Sequence, residues 1–172
     1  GAAAWARGAP VPYRALCDVL LAVEATTKRL EITEIVRSFL AKVLVRAPGE
    51  LSDAVFLLCN KVAPQYEGIE LGIGESLVVK AISQSTGRQP KDVKKAFDEV
   101  GDLGTVAQQS RSSQRKLAFG AKPKPLGAAY VLRQFRDLAN IKGDKSQERK
   151  VRVIQGRLTN AVGDEACWIV RA

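Results

Sequence analysis

Apolar residues recur along this chain at the three-and-four spacing of helices, and nowhere with the sustained alternation of strands. Val11, Ala15, Leu16, Val19, Leu20 and Val23 predict a helix over 11–25, with Pro12 in its first turn. Thr27 suits the N-cap of a second helix, whose inward face reads Ile32, Ile35, Val36, Phe39, Leu40, Val43 and Leu44 until Pro48-Gly49 ends it. A third helix is expected from Leu51 to Val62, with Val55, Leu58, Cys59 and Val62 on one side; it is apolar more than halfway round and so reads as central. After a loop over 63–73, punctuated by Pro64, Gly68 and Gly72, comes a helix carrying Leu77, Val78, Ala81 and Ile82. It is opened by Gly72-x-Gly74 and stopped by Gly87.

Two short helices follow, one from Pro90 through Val100 and one from Leu103 to near Gln109. The stretch 110–126 carries Arg111, Arg115, Lys116, Lys122 and Lys124 without an acid. Its prolines keep it extended; Leu117, Phe119 and Leu126 can pin it to the body, and a flexible basic linker is the alternative. Gly127–Ile141 is amphipathic. Beyond it Ser146 reads as an N-cap, with Val151, Ile154, Leu158 and Val162 inward and Arg149, Lys150, Arg152 and Arg157 mostly outward. A last piece carries Cys167, Trp168 and Ile169. The pattern is that of a single all-α domain of about nine helices over 11–172, with residues 1–10 an N-terminal extension or cloning remnant. The chain begins with Gly1, contains no Met, and ends on an apolar face without a closing cap, so a piece of a longer protein is expected.

Composition narrows the chemistry. The absence of His and of any Cys-x-x-Cys pair removes the usual zinc sites and His-based acid–base or triad catalysis. Cys17, Cys59 and Cys167 each fall in an apolar helical pattern and read as small buried hydrophobes in a reducing compartment. Asp98-Glu99 and Asp164-Glu165 read as solvated helix ends, and there is no Walker-type phosphate loop. No apolar run approaches the ~18 residues that cross a membrane. The net charge of +9 makes a polyanion the expected partner, nucleic acid first and an anionic membrane surface second.

Three places suit phosphate. At Thr27, Lys28 and Arg29, two cations at a helix start oppose the dipole unless an anion docks there, with Glu31 and Glu34 as the local alternative. The Gly72–Gly74 turn adds Lys80 and Arg88, and the basic stretch adds Arg111 and Arg115. None is a helix with base-reading side chains at regular spacing, and aromatics are only 6%, too few for stacking platforms. This favours contact with a duplex backbone and little sequence readout.

Four stretches carry a more specific signal: VPYRALCDVLLAVEATTKRLEITEIVRSFL from Val11, GIELGIGESLVVKAISQSTGR from Gly68, GDLGTVAQQSRSSQR from Gly101 and FRDLANIKGDKSQERKVRVIQG from Phe135. In order and spacing they resemble the N-terminal DNA-binding domain of eukaryotic replicative ATP-dependent DNA ligases. The resemblance implies an all-helical domain that grips nicked duplex DNA across the minor groove without sequence preference, and closes a ring with the adenylation and oligonucleotide-binding domains. It places contacts at Thr27, Lys28 and Arg29. For Gly74, Lys80, Arg88, Arg111 and Arg115 it supports membership, and DNA contact is inferred from their charge or backbone. It also implies a sliding clamp as a candidate partner, no membrane, and a nuclear parent, with an organelle left open by the sequence. The family's adenylated lysine lies in a Lys-x-Asp-Gly motif. No Asp-Gly pair occurs here, so this piece is expected to have no ligase activity and no cofactor of its own, while ATP and Mg2+ would serve the parent enzyme. The family's second contact, a Gly- and Arg-rich turn, is expected beyond Ala172.

Overall fold

The computed structural model describes residues 5–115 and 125–172. It is an all-α domain with nine α-helices and no strand among the described residues. The contacts of the described residues gather into two compact units: residues 5–69 with 125–136, and residues 70–115 with 137–172. No described helix is long and apolar enough to cross a membrane.

The first unit holds α1 (Tyr13–Glu24), α2 (Arg29–Arg46), α3 (Leu51–Leu58) and α7 (Ala128–Ala139) as far as Arg136. Pro12 is the N-cap of α1, one position before the first turn expected for it. Its neighbours pair across an isolated bridge to Gly127: Tyr13 N–H donates to Leu126 O and Ala128 N–H to Val11 O, both at 2.8 Å. That pairing sets the starts of α1 and α7 side by side, and Val11, Leu16, Cys17, Val131, Leu132 and Phe135 of this unit are buried. Trp5 is also buried: Gly8 N–H reaches Arg46 O at 2.7 Å, and the Arg46 guanidinium lies 5.7 Å from the Trp5 ring while donating to the Trp5 carbonyl.

The inward faces of α2 and α3 are narrower than periodicity expects. Along α2 only Phe39 and Val43 are buried, and Leu44 is 56% exposed. Helix α3 stops at Leu58 and buries Ala54 and Leu57, while Val55 and Cys59 face solvent. Apolar residues all round a short helix leave its orientation unspecified by pattern. Here Arg136 helps to set it, donating to Val62 O at 2.8 Å with its guanidinium 5.3 Å from the Phe56 ring.

The second unit holds α4 (Glu75–Thr86), α5 (Pro90–Val100), α6 (Leu103–Arg115), the end of α7, α8 (Ser146–Asn160) and α9 (Glu165–Arg171). Helix α4 packs on α8 and α6, and α6 packs on α9, around Ala81, Ile82, Val106, Ile154 and Leu158. Helix α6 runs to Arg115, so residues 110–115 are helical where an extended crossing was expected. Leu117, Phe119, Lys116, Lys122 and Lys124 lie outside the described residues.

Asp102 explains the start of α6. Its carboxylate accepts from Gly104 N–H, Thr105 N–H and Thr105 Oγ1, a cap on otherwise unpaired amides. Arg171 of α9 closes on the same carboxylate at 2.8 Å and lays its guanidinium 4.9 Å from the Trp168 ring. Partial burial pushes the Asp102 carboxyl up, but the hydrogen bonds from Arg171 and Thr105 outweigh it and hold it well below the usual carboxylate range. Gly104 lets the two helices approach: a Cβ there would stand 2.8 Å from Cys167 O and 3.0 Å from its Sγ.

Two further expectations are corrected. Asp164 and Glu165 are not a solvated pair: Glu165 is buried and accepts from Val162 N–H at 2.7 Å, and Asp164 accepts from Gln108 Nε2. Ser146 is the first residue of α8, and the cap position falls to Lys145, at φ +57°.

Candidate nucleic-acid interface

In the first unit the α1–α2 corner is built by Thr26. The structure moves the cap from Thr27, because Lys28 holds the N-cap position of α2 and makes no side-chain cap. Thr26 Oγ1 instead accepts from Lys28 N–H at 3.2 Å and donates to Glu31 Oε2 at 2.6 Å. Lys28 Nζ binds the other oxygen of Glu31 at 3.0 Å. Hydrogen bonds from Thr26 and then Lys28 hold the Glu31 carboxyl below its ordinary range. One turn on, Arg37 and Ser38 both donate to Glu34 and bring its carboxyl down to about 2.

Both acids of this corner are therefore engaged by other residues. Arg29 is left exposed, with no side-chain partner among the described residues, at the positive end of an 18-residue helix. An unneutralised cation there is unfavourable by about 0.3–1 kcal/mol, and an anion bound across Arg29 and the free amides of the first turn would reverse the sign. Thr27 and Leu30 are exposed beside it.

The second unit treats its candidates differently. Gly74 is the N-cap of α4 in an extended conformation, and Gly72 takes φ +57°. Lys150 fixes that turn. It lies buried on α8 and donates from Nζ to Leu71 O at 2.7 Å and Gly72 O at 3.2 Å, so it does not point outward with its basic neighbours. A Cβ on Gly72 would come within 3.1 Å of that ammonium. Nothing in an arginine- and lysine-rich helical face marks one lysine as buried, and its acceptors are carbonyls 79 and 78 residues away in sequence.

Arg88 is largely taken up by the fold. Nη1 donates to Ser110 Oγ at 2.7 Å and Nη2 to Asp92 O at 3.1 Å, tying α5 to α6, while Ser83 Oγ donates to Arg88 O. Arg111 donates to Thr159 O at 2.6 Å and so ties α6 to the end of α8. Arg115 ends α6, and its side chain lies outside the described residues. Lys80 is exposed on α4 without a partner among the described residues. Thus the structure brings Arg88 and Arg111 onto the same helix, one through Ser110 and the other by its own place there, as cross-links. Lys80 it leaves to solvent.

No group of His, Cys, Asp and Glu residues suited to a metal ion occurs among the described residues. Among the described residues the arrangement offers exposed cations and free amides, which can hold phosphates.

Comparison with known proteins agrees with the resemblance. The family model for the DNA ligase N terminus matches residues 12–172. DNA ligase 1 of Schizosaccharomyces pombe is 40% identical over 150 residues, covering 87% of this chain and 19% of that protein. DNA ligase 1 of Dictyostelium discoideum is 35% identical over 170 residues, 99% of this chain and 14% of that protein. DNA ligase 1 of Saccharomyces cerevisiae is 35% identical over 163 residues, 94% and 21% respectively. The chain thus spans about a fifth or less of these three relatives. With a model match over nearly its full length, the chain belongs to the DNA ligase N terminus family.

Proposed function

We propose that this chain binds duplex DNA without sequence preference, through phosphates bordering the minor groove, and positions a nick for the catalytic domains of an ATP-dependent DNA ligase acting in nuclear replication and repair. ATP and Mg2+ would serve those domains. The observation that carries the reading is Arg29: the exposed cation at the start of α2, whose neighbouring acids are already engaged by Lys28, Thr26, Arg37 and Ser38. Thr27 and Lys28 flank it. Lys28 can exchange its exposed bond to Glu31 for a phosphate at little loss, since solvent screens such pairs strongly.

Phosphate contacts release counterions, so binding to nicked and random duplexes should weaken steeply and equally with salt, by about 0.9 in log–log slope per contact. Titration of a fluorescent duplex at several salt concentrations measures this, and Arg29→Ala should flatten the slope by about that amount. Affinity independent of salt, or equal in Arg29→Glu, would refute the reading.

A second reading, docking to a sliding clamp, draws on Leu44 and Val45 near the end of α2, which are 56% and 63% exposed. Leu44→Glu with Val45→Glu would then abolish clamp binding and spare DNA binding.

A further inference from the structure

The geometry points to a second phosphate-binding surface in the second unit, on the seam between α4 and α8, with Lys80 and Arg152 as its paired cations. Their ligand is two neighbouring phosphates of a duplex strand; this rests on the duplex-binding reading above. Helix α4 turns Ser76, Lys80 and Gln84 to solvent at successive four-residue intervals, one stripe of a helix. The outer stripe of α8 carries Arg152 and, three residues on, Gln155. The stripes meet where Gln155 Nε2 donates to Gln84 O at 3.4 Å. Lys80 stands one turn before Gln84 and Arg152 one turn before Gln155, so each cation borders the seam from its own helix.

Both are exposed, and neither has a partner among the described residues, although Glu148 stands one turn before Arg152 on α8. On the α4 stripe Ser76 and Gln84 are neutral and exposed, and suit phosphate oxygens as secondary donors. Arg88 and Arg111 already serve the fold, whereas Lys80 and Arg152 can take phosphate without breaking an internal contact. Arg152 was passed over in the sequence because one arginine among Arg149, Lys150 and Arg157 has no distinguishing pattern. The structure separates them, since Lys150 holds a turn and Arg149 donates to Lys142 O and Asp144 O.

The test uses the full chain and a 24-base-pair nicked duplex, with affinity measured by anisotropy across salt concentrations. Lys80→Ala and Arg152→Ala should each lower the salt slope by about 0.9, and the pair by about 1.8. Arg152→Lys should keep the slope, and circular dichroism should show the helices intact in every variant. If the wild type binds and Arg29→Ala weakens it, but the double variant keeps the wild-type slope, the seam is no phosphate site and the duplex reading stands. If the wild type shows no salt-dependent duplex binding, both fail.

Discussion

Replacing Gly104 by alanine should destabilise the chain, against the usual trend for a helix. In an open helix interior Gly→Ala gains about 1 kcal/mol from propensity. At Gly104 the new methyl would stand 2.8 Å from a backbone carbonyl, Cys167 O, and 3.0 Å from both Cys167 Sγ and Arg171 Cγ. The arginine methylene can rotate aside; the carbonyl belongs to α9 and moves only with the helix. Overpacking of this kind costs typically about 1–3 kcal/mol. Displacing α9 would also disturb Arg171 on Asp102, so the upper half of that range applies. The net expectation is a loss of about 1–2 kcal/mol after the propensity gain. Gly156, also in a helix of the second unit, is the internal control: nothing lies within 4 Å of its would-be Cβ, and alanine there should stabilise by about 0.5–1 kcal/mol. Urea denaturation followed by circular dichroism gives both values. A Gly104→Ala chain as stable as the wild type would refute the close approach of α6 and α9.

Asp102→Asn should lower stability by about 1–2 kcal/mol at neutral pH through a weakened cap and the lost Arg171 pair. Because the folded carboxyl titrates below its unfolded value, that contribution is fully present above the unfolded pKa of about 3.9 and drains away as pH falls toward the folded one. The gap between wild-type and variant urea midpoints should therefore close below about pH 4. Arg88→Ala should lose about 1–3 kcal/mol by leaving the Ser110 and Asp92 groups without their donor, whereas Arg29→Ala should stay within about 0.5 kcal/mol, as thermal melts would show. A thiol-reactive maleimide should label Cys59 rapidly in the native chain, with Cys17 and Cys167 following only on unfolding; mass spectrometry of the peptides reads the order.

The helices were legible in the sequence wherever a long apolar stripe met clear punctuation. Pro48-Gly49 marks the end of α2, Gly87 the end of α4, and Gly101-Asp102 the break before α6, and each of these residues stands at a helix boundary. The start of α2 at Arg29 was legible from Thr27-Lys28-Arg29, although Thr26 and not Thr27 makes the corner's side-chain hydrogen bonds. What escaped was decided at a distance. The burial of Lys150 depends on carbonyls at Leu71 and Gly72, and the engagement of Arg111 on Thr159 O. Helix α3 was misjudged because a short run rich in Val, Phe and Leu is apolar over most of its circumference, and tertiary contact chose Ala54 and Leu57 over Val55.

The bridge between Pro12 and Gly127 bears on how the chain acquires its structure during synthesis. It joins residues 115 apart (127 − 12), so the first unit is interrupted in sequence by much of the second. Closing so long a loop is entropically slow, though each doubling of length adds only about 0.6 kcal/mol. Until residues 125–136 leave the ribosome, Tyr13 N–H and Val11 O lack their partners at Leu126 and Ala128, although α1 can already pack on α2 and α3. The first unit is thus completed only after much of the second has been made. That interval is when the nascent chain is most open to aggregation and has most need of a chaperone.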